Sequence, residues 1–408
     1  MIKIGLDNAS GLFFVDGAEN FARINGEIIF CGVTMNICLL IKDFAVGKKF
    51  LADGRPTKSG AEIHGENHAL ELIRLGHRVT IMTKKRVFRT AARENFGGID
   101  LVRLHPPFRW LEIFLRLLTT HRDIDAFYII GTPKFSVWAV LFARLFKKPV
   151  TLALTGKAEI FSAADGWRNK ILSTCTNYVA TTREIRDGFV ERGGISPEKI
   201  SILPHGIDTK KFPQSDESRR RELKLSHGVD PNCKVLLFCA RIVPDKGVDT
   251  LQKVWQILHA KFPDAILFVV GGGLNHLLDE LRALSAELDG SIKVIGEVDA
   301  PAEFYRLADV YIFPSRHEGL PTSLLEAMSS GLPAVTSDIG GCEDVIENDV
   351  NGFRVYSEDA AAFAEKISIL FTDDERRRLF GQRAAKLIRD SCDFSTVMPK
   401  LAEIIARR

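Results

Sequence analysis

Two acids and two cations in the C-terminal half have the types and spacing to hold one ligand. Glu318 and Glu326 have seven residues between them. A carboxylate has two oxygens and only accepts hydrogen bonds, so two vicinal hydroxyls, as on a ribose or a hexose, can donate to one such group. Arg241 and Lys246 lie five positions apart. Two cations on one loop repel each other unless an anion sits between them, and a diphosphate satisfies both. Charge-assisted bonds of this kind contribute about 1.5–3 kcal/mol each. Hydroxyls and phosphates together describe a sugar nucleotide.

These side chains need elements to place them. Residues 310–313 read as a strand, Glu318 falls in the loop after it, and a short helix opens near Thr322 and is stopped by Gly331 in the left-handed conformation. Glu326 then lies about one turn inside that helix. The carboxyl edge of a parallel sheet is where ligands bind, and the free N–H groups and positive dipole end of a helix start suit phosphate. Arg241 likewise follows a strand, Leu237 to Ala240, and Gly247 leads into a helix. Gly271-Gly272-Gly273 ends a further strand. With Leu274 and His276 next there is no third glycine in register, which argues against a dehydrogenase fingerprint.

The same alternation runs along most of the chain. Strand-like runs fall near 37–41, 78–82, 101–104, 126–130, 150–154, 178–180 and 200–203, then again near 235–240, 265–270, 292–295, 310–313, 334–337 and 352–355, with helical pieces between them. That pattern predicts an α/β protein of two doubly wound, Rossmann-like domains facing a central cleft. The expected boundaries are an N-terminal extension over 1–34, outside the functional enzyme or else an added hairpin around Asn25-Gly26; a first domain over 35–213; a second over 214–390; and a tail over 391–408. Residues 212–232 are polar and charge-rich and read as a linker with a lead-in helix.

At 408 residues the chain is comfortable for two domains, and a net charge of +3 implies no nucleic-acid preference. Its seven cysteines form no C-x-x-C pair and no zinc spacing. No apolar run approaches a membrane span and no secretory signal is read, so a cytoplasmic protein is expected.

The segment Glu318-Gly319-Leu320-Pro-Thr-Ser-Leu-Leu-Glu326 resembles the E-x7-E signature of the retaining glycosyltransferases of family 4, which have the GT-B fold. Phe313-Pro314-Ser315, Gly340-Gly341 and Asn351-Gly352-Phe353 fit that pattern, and the likeness runs from Met35 to the C-terminus. The resemblance implies that the second domain binds a nucleotide-diphosphate sugar and the first an acceptor, a glycan or a lipid-linked glycan, with the last helix packing back on the first domain. It implies Arg241, Lys246 and Glu318 as catalytic residues, the cations on the donor diphosphate and Glu318 on the sugar hydroxyls. Glu326 takes the ribose, and Gly60, Gly272, Val298, Gly319 and Leu320 contribute to the donor site. It further implies transfer of a hexose-type sugar without metal or other cofactor, by front-face attack in which the leaving phosphate accepts the acceptor's proton. Cell-surface polysaccharide or glycoconjugate synthesis is the expected setting. A sugar-nucleotide epimerase of the same fold and a catalytically inactive nucleotide- or glycan-binding scaffold are the alternatives.

The chain departs from the pattern in places. Ser59-Gly60 stands where the family has two glycines, His205 where Pro-Asn-Gly-Val-Asp has asparagine, and no histidine closes the strand 150–154. Glu62, His64 and Lys157 are therefore the acceptor-side candidates. His64 and His68 are a helical turn apart without forming H-E-x-x-H, and Asp123-Ile-Asp125 precedes a strand, the wrong edge for a metal. Lys84, Lys85, Arg86, Arg89 and Arg93, with the largely apolar helix 108–118, read either as a solvated loop beside a core helix or as a seat for an anionic membrane face.

Overall fold

The computed structural model describes the backbone of residues 6–7, 12–14, 21–24 and 27–30, and residues 34–44, 60–84, 91–105, 108–119, 121–154 and 166–408. The chain divides into two compact units, residues 1–205 with 395–408, and residues 206–394.

In the first unit four short strands, β1 (Leu6–Asp7), β2 (Leu12–Phe14), β3 (Phe21–Ile24) and β4 (Glu27–Phe30), form an antiparallel sheet. The hairpin expected near Asn25-Gly26 is its last pair, with Phe21 opposite Phe30 and Ile24 opposite Glu27. The main sheet takes β5 (Asn36–Ile41), β6 (Arg78–Lys84), β7 (Arg93–Phe96), β8 (Ile99–Leu104), β9 (Ala126–Ile130), β10 (Val150–Leu154), β11 (Asn177–Ala180) and β12 (Ile200–Ile202) in the order β12-β11-β10-β9-β5-β6-β8-β7. Every pairing is parallel except β7 on β8. The sheet is covered by α1 (Gly60–Arg74), α2 (Arg109–Leu118), α3 (Ser136–Leu145), α4 (Trp167–Leu172) and α5 (Arg183–Glu191). Its central strands are buried along their whole length, as the apolar runs of β9 and β10 require.

The strand β7 was invisible to hydrophobic patterning, because Arg-Glu-Asn-Phe at a sheet edge carries none. Arg93 on it makes a two-pronged contact with Asp100, at 2.8 and 2.9 Å. Lys84 pairs with Asp43 at 3.1 Å. Two of the five cations of the expected basic run are thus neutralised, and Lys85, Arg86 and Arg89 lie outside the described residues. The Asp123 and Asp125 pair does what an aspartate at a strand's amino edge does best. Asp125 accepts from the Asn36 amide at 2.9 Å and Asp123 from the Asn36 side chain at 3.0 Å, fastening the entry to β5.

The second unit is a six-stranded parallel sheet of β13 (Val235–Cys239), β14 (Ile266–Val270), β15 (Ile292–Gly296), β16 (Val310–Phe313), β17 (Ala334–Ser337) and β18 (Gly352–Val355), in the order β15-β14-β13-β16-β17-β18. Its helices are α6 (Glu217–Ser226), α7 (Val248–Lys261), α8 (Asn275–Glu287), α9 (Ala302–Leu307), α10 (Thr322–Ser329), α11 (Gly340–Glu343), α12 (Ala360–Thr372) and α13 (Asp374–Ser391). Side chains alternate across the strands. On β13, Val235, Leu237 and Cys239 join the apolar layer under α9, α10 and α13, while Leu236 and Phe238 join the one under α7, α8 and α12. Strand order reverses between β13 and β16, so the loops leaving their carboxyl ends open on a topological switch point.

The segment 212–232 is more built-in than a linker. Asp216 caps α6 by accepting from the Arg219 amide at 2.7 Å, and Leu223 and Lys224 are buried. The Lys224 ammonium donates to Asp309 at 2.7 Å and to the Cys233 carbonyl at 2.8 Å. Asp309 also accepts from the Val235 amide at 2.8 Å. The chain closes with α14 (Phe394–Ala406), whose residues from Ser395 belong to the first unit. There Asn177 donates to the Ile404 and Arg407 carbonyls at 3.0 and 2.9 Å, satisfying a helix end. Cys38, Cys175, Cys233, Cys239, Cys342 and Cys392 are buried free thiols, acting as small hydrophobes.

Candidate active site

The two loops at the switch point meet through their charges. After β13 the chain passes Arg241 and makes a single turn of 3-10 helix, Pro244–Lys246. Gly247 follows at φ 69°, and a Cβ there would strike the Pro314 carbonyl. The position needs glycine twice over, for the left-handed backbone and for the close approach. After β16 the second loop runs through Pro314, Ser315 and Glu318 into α10. The Lys246 ammonium is ion-paired to Glu318, and both side chains are about six-sevenths buried, at 14% and 16% exposure. Ser315 steadies the contact, its hydroxyl lying 3.1 Å from the same Glu318 oxygen and 3.0 Å from the Asp245 carbonyl. The ammonium also lies 5.7 Å from the centre of the Phe313 ring.

Burial first and the charge of Arg241 second push the Lys246 ammonium down to about 8, against the pull of Asp245. Arg241 is exposed, and its side chain makes no ion pair or hydrogen bond among the described residues. Glu318 and Asp245 thus both act on Lys246, while the Arg241 side chain beside them is left without an ion pair among the described residues, a charge that an anion would engage.

The remaining donor-side candidates fall on neighbouring loops of the same sheet edge. Ile242 donates to the Gly272 carbonyl at 2.9 Å and accepts from the Leu274 amide at 3.0 Å, so the glycine loop after β14 is laid against the loop of Arg241. Added Cβ atoms on Gly271 and Gly273 would strike the carbonyls of Ala240 and Ile242. Gly272 faces the Glu297 side chain at 3.4 Å from an added Cβ. Val298 is half-buried with its side chain on the apolar layer, which leaves only its backbone for a ligand. Gly319 presents its carbonyl to Gly341, where any side chain would collide, and Leu320 is buried in the core. Glu326 on α10 accepts from the Tyr305 hydroxyl at 2.8 Å, and Tyr305 is fully buried. Tyr311 beside it donates from its hydroxyl to Cys239 and contacts Ser323 at 3.1 and 2.9 Å. Lys246 and Glu318 are thus brought together directly, Arg241 is near enough to act on the lysine by its charge, and Glu326 on α10 is held by Tyr305. Sequence reasoning missed Tyr305, Ser315 and Arg316. Only Ser315, inside Phe-Pro-Ser, carried a signal.

The first unit holds a different constellation. Gly60 opens α1 and Glu62 is buried in its first turn. The His64 ring lies against that of His205, centroids 3.8 Å apart. His68 places one ring nitrogen 3.1 Å from the Tyr128 hydroxyl and the other 2.8 Å from the His205 carbonyl. Burial lowers His64 to about 3 and His68 to about 4, and lowers His205 well below the usual histidine range, so the cluster is neutral near pH 7. His77, next to the left-handed Gly76 that ends α1, is likewise buried and accepts from the Met35 amide at 3.3 Å. Asp208 caps a short turn by accepting from the Lys210 amide at 3.2 Å. Lys157 lies outside the described residues.

Comparison with known proteins gives the family and the fold. Residues 219–387 match the family model described as glycosyl transferases group 1, and residues 58–211 match that of glycosyltransferase family 4. A D-inositol 3-phosphate glycosyltransferase of Xylanimonas cellulosilytica is 31% identical over 314 residues, covering 73% of this chain and 70% of that protein. The capsular polysaccharide biosynthesis glycosyltransferase CapM of Staphylococcus aureus is 25% identical over 298 residues, 70% and 77% of the two chains. An N,N'-diacetylbacillosaminyl-diphospho-undecaprenol alpha-1,3-N-acetylgalactosaminyltransferase of Campylobacter jejuni is 26% identical over 296 residues, 69% and 77%. Among solved structures, Anabaena HepE in complex with UDP superposes with a TM-score of 0.75 at 20% identity, over 90% of this chain and 99% of that one. The fold is that of the GT-B glycosyltransferases. The chain belongs to the family 4, group 1 glycosyltransferases.

Proposed function

We propose that this glycosyltransferase is a retaining, metal-independent enzyme that moves a hexose-type sugar from a nucleoside-diphosphate sugar to a glycan or lipid-linked acceptor. The observation that carries the proposal is the Lys246–Glu318 pair on the two loops of the switch point, with Arg241 unpartnered beside it among the described residues. In the unliganded protein the acid and the lysine compensate each other. When a donor arrives, the ammonium turns to the diphosphate with Arg241, and the carboxylate is released to the sugar's hydroxyls. Glu326, its second oxygen occupied by Tyr305, takes the ribose hydroxyls. The amides of Gly319 and Leu320 and the backbone at Gly272 and Val298 complete the donor contacts on the second unit.

As the bond from the anomeric carbon to the phosphate oxygen breaks, negative charge grows on the departing diphosphate. Arg241 and Lys246 stabilise that charge more in the transition state than in the ground state, which is what accelerates the step. The acceptor hydroxyl attacks from the same face, and its proton passes to the departing phosphate oxygen. Glu62, His64 and Lys157 are the acceptor-side candidates. His64, neutral and packed at a tilt against His205, serves as a hydrogen-bond partner rather than as a charge.

CapM is named for capsular polysaccharide biosynthesis and the Campylobacter relative for a diphospho-undecaprenol acceptor, which supports a polysaccharide or glycoconjugate setting. Among the described residues no helix is long and apolar enough to cross a bilayer. The face of α2 is suited to lie on one instead. Phe108 is 62% exposed and Leu111, Leu115 and Leu118 continue the stripe, with Arg109 and Arg116 on the same helix. The test of the function is a thermal-shift screen with nucleoside diphosphates and their sugars, followed by assignment of the product anomer by NMR. Stabilisation by one nucleotide series and retention of configuration are expected. No stabilisation by any nucleotide, or an inverted product, overturns the proposal.

A further inference from the structure

We infer that Arg316 is a positioning residue that holds Lys246 in place for the donor diphosphate. The inference rests on the reading of Lys246 given above.

Lys246 stands on a single turn of 3-10 helix, and so short a turn has little geometry of its own to fix a side chain. Its order comes from the other loop. The Arg316 amide donates to the Asp245 carbonyl at 2.9 Å. The Arg316 guanidinium donates to the Pro244 carbonyl at 2.7 Å and to the Asp249 carboxylate at 2.7 Å, with Glu358 at 3.5 Å. Both carbonyls that immediately precede Lys246 are therefore satisfied from Arg316. The same guanidinium ties that turn to the first turn of α7 and to the segment before α12. A planar fork can reach a carbonyl and a carboxylate together, which a single ammonium cannot do with the same geometry. Arg316 is only about a quarter exposed, at 26%, and touches neither Arg241 nor Glu318 in the hydrogen bonds it makes. It acts on the donor through the backbone that carries Lys246.

That route gives a signature distinct from general destabilisation. The effect should be confined to the phosphate part of a ligand, and it should vanish once Lys246 is gone. The experiment is a double-mutant cycle on the full chain, measuring by calorimetry the binding of UDP, GDP and ADP and of the matching nucleosides. Arg316→Ala is expected to weaken the preferred diphosphate about tenfold while leaving its nucleoside within about twofold, and to cost less than about twofold when Lys246 is already alanine. Arg316→Lys should recover only part of the loss. Additive losses in the cycle, or equal weakening of nucleoside and diphosphate, overturn the inference.

Amide exchange by mass spectrometry supplies a readout without ligand. Arg316→Ala should speed exchange at Lys246 and Gly247, whose amides donate to Val243 and Pro244 at 3.0 Å, and leave β13 and β16 protected. Unchanged exchange at 246–247 overturns the inference by itself. Faster exchange there in a protein that binds no nucleoside diphosphate would keep the clamp and sink the donor-site reading instead.

Discussion

The strands β13 and β16 carry a lysine–carboxylate pair at each of their ends, and the two pairs differ in what completes them. At the amino edge Lys224 meets Asp309 and every group finds a partner: the Cys233 carbonyl takes another ammonium proton, the Val235 amide shares the Oδ2 that Lys224 holds, and Arg377 lies 3.9 Å from Oδ1. Exposure is 3% and 4%. At the carboxyl edge Lys246 meets Glu318 under partial exposure, with a second cation close enough to lower the lysine and without an acid of its own among the described residues. The amino-edge pair is met from both sides, whereas at the carboxyl edge the Arg241 side chain is left without a partner among the described residues, which suits an anion. Burial alone does not distinguish structure from function here; the completeness of the partners does.

The largest effect should come from breaking the carboxyl-edge pair. Lys246→Ala is expected to lower turnover by about three orders of magnitude, the scale of one lost donor at a developing charge. The melting temperature should stay within a few degrees of the parent, because the lysine lies in a loop. Steady-state kinetics with calorimetric melting checks both. A variant that keeps near-parental turnover would erase the contrast between the two edges.

The amino-edge pair should behave in the opposite sense. Asp309→Ala leaves a buried ammonium without its acid and strips the Val235 amide, and removal of one partner of such a pair costs about 3–5 kcal/mol. Urea unfolding measures the loss, and the folded fraction should still bind nucleoside diphosphate. Equal damage to binding at temperatures where the variant is folded would show that the two ends of the strands are coupled.

How far the sequence already disclosed this site follows from the range of each interaction. Arg241, Lys246, Glu318 and Glu326 were legible because each sits at a fixed offset from a strand end or helix start, and those offsets lie within one local stretch. The strands themselves were legible because a sheet covered on both faces demands continuous apolar runs. Lys224 was not, since its partner is 85 residues away and its own neighbourhood looks like a solvated helix. Tyr305 and Arg316 stayed hidden for the same reason: Tyr305 acts from α9 on α10 and Arg316 across a crossing of loops, contacts that no periodicity records. The edge strand β7 was lost because Arg-Glu-Asn-Phe has no apolar alternation, and the residues that seat His205 against His64 are 141 positions apart (205 less 64).

The first unit offers a third way to bury titratable groups, which is to keep them neutral. His64 and His68 have folded values of about 3 and about 4, below an unfolded value near 6.5. The unfolded chain therefore binds more protons in the acid range. Stability is complete above about pH 6.5 and falls as pH drops through the window toward those folded values, by about 1–2 kcal/mol per histidine between pH 7 and 5. Denaturant unfolding across that range should show the acid loss, and His68→Gln should reduce it. An acid profile that His68→Gln leaves unaltered would mean that the carboxylates set it instead.

The smallest effect sharpens the contrast within the active edge. Tyr305→Phe keeps the buried ring and removes one hydroxyl, so packing is conserved while the bond to Glu326 and a weak contact with the Cys239 thiol are lost. That bond would not supply charge to the ligand; it fixes the carboxylate's rotation, and on the proposed donor reading the carboxylate so held takes the ribose. A hydrogen bond to a charged group contributes about 1.5–3 kcal/mol. Part of this loss is recovered when the freed oxygen finds water, leaving an expected fivefold to tenfold drop, about 1 kcal/mol, in affinity for the nucleotide. The loss should appear for the nucleoside as well as for its diphosphate, whereas Lys246→Ala should spare the nucleoside. Calorimetry with both ligands separates the two. A Tyr305→Phe variant weakened only toward the diphosphate would place Glu326 with the phosphate group rather than with the sugar hydroxyls, and the division of labour between the acids and the cations would have to be redrawn.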